Sequence, residues 1–154
     1  MSTAGRRSDP EFALAAGIFG RLDGVSALPA CEGQDVAAFE YARDGARLEL
    51  KLVARGDASA LFIATLPNSA QVWTSKEMNE MAGQNFFAVG FVGLSPETGD
   101  LSFSKRISLA TLCASQASLL VSEASQRLME TISKLGTLAP IDTQPDFAMF
   151  SLRA

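Results

Sequence analysis

The chain has 154 residues, 47% of them hydrophobic and 19% charged, with a formal net charge of −4. That length fits one domain able to bury a core without a covalent staple, and the composition is ordinary for a globular protein. An acidic chain lacks the electrostatic drive toward phosphate backbones, which argues against general nucleic-acid binding. Its adjacent basic pairs, Arg6–Arg7 and Lys105–Arg106, are too few for a polybasic membrane patch. No apolar run approaches the ~20 residues needed to cross a bilayer. Asp9 and Glu11 place acids directly after the arginine pair, so a signal peptide is not expected and the cytoplasm is.

Residues 1–8 are small and polar and are expected to be disordered. Asp9-Pro10-Glu11 reads as a helix start: an N-cap acid, a proline in the first turn and an acid beside it. Phe12, Ala15, Phe19 and Leu22 recur at helical spacing, with Leu14 and Ile18 widening the stripe, and the helix should end near Asp23-Gly24. The stretch from Val25 to Asp35, with Pro29 and Gly33, reads as a loop. A hairpin comes next. Asp44-Gly45 is a two-residue turn signal, and it sets Tyr41 opposite Leu48, Phe39 opposite Leu50 and Ala37 opposite Leu52 on one apolar face. The same register puts Glu40 against Glu49, a repulsion that Lys51 is expected to relieve diagonally.

Leu61 to Leu66 is a third strand, apolar on both faces, so a central or doubly covered position is expected. Thr74 or Ser75 caps a second helix, with Glu77 completing a capping box and Met78, Met81, Ala82 and Asn85 marking one face. A second hairpin joins Ala88–Leu94 to Leu101–Ile107, pairing Leu94 with Leu101 and Val92 with Phe103. The longest helix runs to Leu135 on a stripe of Ala117, Val121, Ala124, Leu128 and Thr131, with Gly136 as its C′ residue. The expected fold is α+β: an antiparallel sheet in the order α-β-β-β-α-β-β-α, with helices packed on one face. It occupies residues 9–136 as a single domain, followed by a tail, 137–154, that carries Phe147, Met149, Phe150 and Leu152.

The chain contains no histidine. That removes Ser-His-Asp and Cys-His nucleophile pairs together with the commonest metal ligand. Two distant cysteines, Cys31 and Cys113, do not make a zinc site and read as reduced thiols. No phosphate-cradling glycine motif is present. Asp35, Glu40 and Glu49 are the acids that could be considered for catalysis, and Lys51 the amine, but each reads as a solvated polar position. No catalytic residue, metal or cofactor is therefore assigned, and the chain is read as a binding protein rather than an enzyme.

The second half carries a recognisable run: a short helix ending in Asn85-Phe86-Phe87, the hairpin Leu94-Ser95-Pro96-Glu97-Thr98-Gly99-Asp100-Leu101, an apolar strand and a long helix. Over residues 11–135 the chain resembles the class I type III secretion chaperones (the Tir-chaperone, CesT-like superfamily). It departs from them in having methionines and Gly83 where the second helix is usually leucine-rich, and in a third helix rich in serine and alanine. The resemblance implies a cytoplasmic bacterial homodimer that binds the N-terminal segment of a secreted effector without ATP, keeping it secretion-competent for virulence. It implies effector contacts at Phe12, Ile18, Phe19 and Leu22, with Phe39 and Phe62 as further candidates, and a dimer interface at Met78, Met81, Phe86 and Phe87. Other readings of the same fold are a YbjN-like regulatory protein-interaction module and a carrier of lipids or small molecules between sheet and helices.

Overall fold

The computed structural model describes residues 10–29, 35–70, 73–86 and 90–138. Its elements are α1 (Pro10–Gly20), β1 (Val25–Ala27), β2 (Val36–Arg43), β3 (Ala46–Ala54), β4 (Ser59–Thr65), α2 (Ser75–Phe86), β5 (Phe91–Leu94), β6 (Leu101–Ser108) and α3 (Ala114–Leu138). The strands form one antiparallel sheet in the order β1-β2-β3-β4-β6-β5.

Strict alternation in β2 and β3 requires a hairpin with one buried face, and the register is the expected one: Tyr41 opposite Leu48, Phe39 opposite Leu50, Ala37 opposite Leu52. Asp44 and Gly45 both take positive φ, 53° and 82°, as a type I′ turn demands. Glu40 does face Glu49, but the relief comes from Arg47, whose Nη2 lies 3.0 Å from Glu40 Oε2, rather than from Lys51. The second hairpin also keeps its expected pairs, Leu94 with Leu101 and Val92 with Phe103. Of its expected first strand, residues 88–89 lie outside the described residues.

Two expectations are corrected, and a third is met in one of its two forms. The segment read as a loop from Val25 contains β1, a three-residue edge strand bonded to β2, so the sheet has six strands and the order gains one β. Strand β4 is central but covered on one face alone: Ala60, Phe62 and Ala64 are buried, whereas Leu61 and Ile63 are half-exposed on the other side. Gly136 is not a C′ residue, because α3 continues through it to Leu138. The N-cap assigned to Asp9 lies outside the described residues.

The core fills the space between the sheet and its helices. Phe19 of α1 stacks on Phe62 at 5.5 Å between ring centroids, and Phe62 meets Phe103 edge-on at 6.3 Å. Ala117, Val121, Ala124 and Leu128 of α3 are buried against the same cluster. The small alanines let α3 lie close to the sheet, and each large aromatic contributes roughly 1.5–3 kcal/mol of burial. Helix α1 packs beside α3, and α2 packs against β5 and the side of α3. All three helices thus serve one face of the sheet.

Helix α2 is fixed by its cap. Thr74 Oγ1 accepts the Glu77 N–H at 3.1 Å, and Glu77 Oε1 accepts the Thr74 N–H at 2.8 Å. The cap draws Glu77 inward, so the buried line of the helix is Glu77–Met81, and the expected apolar face is split: Met81 is buried, while Met78 and Ala82 face solvent.

Candidate protein-binding surface

Because side chains alternate along a strand, burying Phe39, Leu50, Phe62 and Phe103 under the helices sends their neighbours to the opposite face. Cross-strand register places Val36, Val53 and Leu61 in one row of that face. Ala38, Lys51, Ile63, Ser104 and Phe91 form the next row, and Glu49, Thr65, Ser102 and Gly93 a third. No described helix covers these rows. Their surface forms a groove of about 480 Å³ in which Val53, Leu61, Ile63 and Phe91 are interleaved with polar side chains such as Lys51, Thr65 and Ser104.

The β5–β6 turn forms one wall. Gly99 closes it with φ 79°, Ser95 N–H bonds to the Asp100 carbonyl at 2.7 Å, and Glu97 reaches to 3.8 Å from Lys51 Nζ. On a flat sheet β5 and β3 would be separated by roughly 14 Å, so the pair forms only because the sheet curls and the turn leans over it. The turn is also anchored from below: Asp100 Oδ1 accepts the N–H groups of Ser69 and Ala70, at 3.0 and 2.8 Å. The Pro96–Gly99 turn is therefore more than a connection.

Phe91 is the largest apolar side chain on this face and is 58% exposed. Its ring lies across Gly93, where an added Cβ would sit 2.7 Å from Phe91 Cε2. The glycine gives the aromatic room to lie along the strand instead of standing off it. At the far corner Ser59 donates to Asp57, and Arg106 pairs with the same carboxylate and contacts Ser59 Oγ at 3.1 Å. The Ser59 hydrogen bond, together with the Arg106 charge, holds the Asp57 carboxyl below its ordinary range.

The structure separates the residues that the sequence grouped as effector contacts. Phe19, Phe39 and Phe62 are buried together in the core, while Phe12, Ile18 and Leu22 are half-buried along α1. Leu14, on the outer side of α1, is 67% exposed. Among the expected dimer residues, Met78 is 43% exposed and Met81 is sealed in the core. Phe87 lies outside the described residues, as does the side chain of Phe86. Phe91, Leu61, Ile63 and Val53 were not singled out as a site, although the hairpin register already put Phe91 on the face opposite Val92.

Of the groups weighed for catalysis, Glu40 and Glu49 face each other across β2 and β3 with Lys51 diagonal to them, and no three metal-ligating side chains cluster among the described residues. No described helix is long and apolar enough to cross a membrane. Cys113 is an exposed thiol at the start of α3, and Cys31 lies outside the described residues. The Ser115 hydroxyl, 3.3 Å from Cys113 Sγ, and the backbone N–H groups of Gln116 and Ser115 lower the thiol pKa.

No family model matches the chain, and no curated protein is significantly similar to it in sequence. Among solved structures, a chain of the ExoT–SpcS complex from Pseudomonas aeruginosa aligns over 84% of this chain and 97% of its own, at 13% identity and a TM-score of 0.37. A chain of the ExsC–ExsE complex aligns over 86% of this chain and 98% of its own, at 13% identity and a TM-score of 0.54. This protein therefore shares the α+β fold of that second chain across nearly its full length.

Proposed function

We propose that this protein is a non-enzymatic chaperone of the class I type III secretion kind, which holds the N-terminal segment of a secreted effector in the cytoplasm without ATP. The observation that carries the proposal is the curled sheet face that no described helix covers, with Phe91, Leu61, Ile63 and Val53 accessible beneath the β5–β6 wall. Apolar side chains set among polar ones suit a protein partner, and their rows run across β3, β4, β6 and β5, as a bound extended chain would. The shared fold with a chain of a two-protein complex supports the same reading.

In this reading α1 supplies a second contact through Phe12, Ile18, Leu22 and the exposed Leu14, with Phe19 supporting them from the core. Phe39 and Phe62 act as the packing beneath both surfaces. The homodimer forms through the outer side of α2, where Met78 is exposed, with Phe86 and Phe87 extending the contact and Met81 backing it from within.

The test is co-expression with the secreted protein encoded beside its gene, followed by chromatography with light scattering. The expected free species has about twice the 16.3 kDa chain mass, and the effector's N-terminal segment co-elutes with it. Phe91→Ser should weaken that binding at least tenfold without changing the dimer. A monomer at all micromolar concentrations, or effector binding indifferent to Phe91→Ser and Leu14→Ser together, would refute the proposal.

A further inference from the structure

Each base that strands β2–β6 place on the open face is already held by an acid. Arg47 pairs with Glu40 at 3.0 Å, Lys51 with Glu97 at 3.8 Å, and Arg106 with Asp57. Glu49 is the acid that remains. Its side chain is exposed, and no base among the described residues lies within ion-pair distance of it. Its cross-strand neighbour on β2 is Glu40, a like charge directly opposite, which is an unfavourable arrangement.

Glu49 also stands at the head of a row of oxygens. Thr65 lies opposite it on β4, Ser102 lies opposite Thr65 on β6, and the two hydroxyls are 3.4 Å apart. This row is the one nearest the β5–β6 turn, since Ser102 follows Leu101 directly. On the far flank, Val53 and Leu61 are apolar, and Ile63 and Phe91 lie in the row between. The face is therefore graded, from carbon along one flank to hydrogen-bond acceptors along the other.

An extended chain lying along the middle row turns alternate side chains to the two flanks. One set meets Val53 and Leu61. The other passes over Glu49, Thr65 and Ser102. A guanidinium or an ammonium brings donors alone and a positive charge, which matches a carboxylate flanked by hydroxyl oxygens. A carboxylate at the same place would become a third negative charge beside Glu40 and Glu49.

We infer that the segment bound on this face carries an arginine or lysine next to large apolar residues, and that Glu49 selects it. The inference rests on the open face being the effector surface, as proposed above. Arginine is the better fit, because its planar fork of five donors spans neighbouring acceptors where an ammonium acts as a point charge. Glu49 governs choice more than strength. It is solvated, so pairing adds little affinity, whereas the like-charge contact excludes acidic segments.

The experiment is selection of random dodecapeptides, displayed on phage, against the immobilised full chain, with parent and Glu49→Lys compared. Glu49→Lys breaks no side-chain bond among the described residues and replaces a like-charge contact with Glu40 by an opposite one, so the fold is retained. Peptides that depend on the open face are those that Phe91→Ser releases. In the parent these should be enriched in arginine and lysine beside apolar residues, and in Glu49→Lys the preference should turn to aspartate and glutamate. Glu130→Lys, the same change of charge on the exposed side of α3, should leave the parent preference as it is. For a selected peptide, Glu49→Gln should raise Kd about three- to fivefold. Phe91-dependent peptides without a charge preference, or a preference that Glu130→Lys reverses as fully as Glu49→Lys does, would overturn the inference and leave the chaperone reading standing. The absence of any Phe91-dependent peptide would overturn both.

Discussion

Asn85 completes β5 from outside the sheet. Its amide donates to the Val92 carbonyl at 2.7 Å and its oxygen accepts the Val92 N–H at 2.8 Å, so one side chain stands where a neighbouring strand would. Arg127 Nη2 donates to the same Asn85 oxygen at 3.1 Å while its guanidinium lies over the Phe103 ring. Asn85→Ala would leave both backbone groups of a buried residue without partners, at a cost of about 1–3 kcal/mol. Asn85→Asp should recover part of the loss, because a carboxylate can still accept from Val92 and Arg127 but meets the Val92 carbonyl with no donor. Chemical denaturation of the two variants checks the order; equal midpoints for parent and Asn85→Ala would mean that the clamp does not stabilise the fold.

Two phenylalanines on opposite faces should behave in opposite ways. Phe62→Ala empties a fully enclosed site between Phe19 and Phe103 and should destabilise the fold by about 3–5 kcal/mol. Phe91→Ala removes a ring that is already mostly in water and should cost under about 1 kcal/mol. Denaturation curves of both variants measure the contrast, and similar losses at the two positions would contradict the assigned faces.

Gly93 tests the groove by addition rather than removal. A side chain there meets the far end of the Phe91 ring first, so Gly93→Val should swing the ring away at little cost in stability. The readout is the aromatic NMR signals of Phe91, expected to shift while those of Phe19 and Phe62 do not.

Cys113 should ionise at lower pH than an ordinary thiol, since its neighbours at the start of α3 favour the thiolate. In a Cys31→Ser background, the rate of alkylation plotted against pH should inflect below the ordinary thiol range, and Ser115→Ala should move the inflection upward. A curve unaffected by Ser115→Ala would show that the hydroxyl contributes nothing.

Asp57 has a folded value below that of the unfolded chain. Its contribution is therefore fully present above the unfolded value and is lost as pH falls through the folded one. An NMR titration should find the Asp57 carboxyl ionising at lower pH than after Ser59→Ala or Arg106→Gln, and the stability difference between parent and Arg106→Gln should shrink in acid. A difference that grows on acidification would reverse the sign.

Much of the fold was legible because local signals fixed register. Asp44-Gly45 set the first hairpin to the residue, and Thr74 with Glu77 located the start of α2. β1 went unread because Val25-Ser26-Ala27 is too short to show alternation, and its existence depends on pairing with β2. The split of α2 was hidden for a different reason: Met78, Met81 and Ala82 form an apolar patch on a helical wheel, but the cap turns Glu77 inward and rotates Met78 out. The candidate site was half legible. Periodicity grouped Phe39 with Leu50 and Leu61 with Ile63, yet it states which residues share a face and not what lies on top of that face. The resemblance implies Phe39 and Phe62 as contact candidates, and the helices cover both; Phe91, which neither periodicity nor the resemblance marks, lies on the open face.

Placing every described helix on one side of the sheet gives each inner strand two independent vocabularies, interleaved at alternate positions. Leu50, Phe62 and Phe103 spell the architecture; Lys51, Ile63 and Ser104, each one step away, spell the open face. Exchanges in the second set leave the first untouched. Such a chain can change the character of its open face one codon at a time while the scaffold beneath stays as it is.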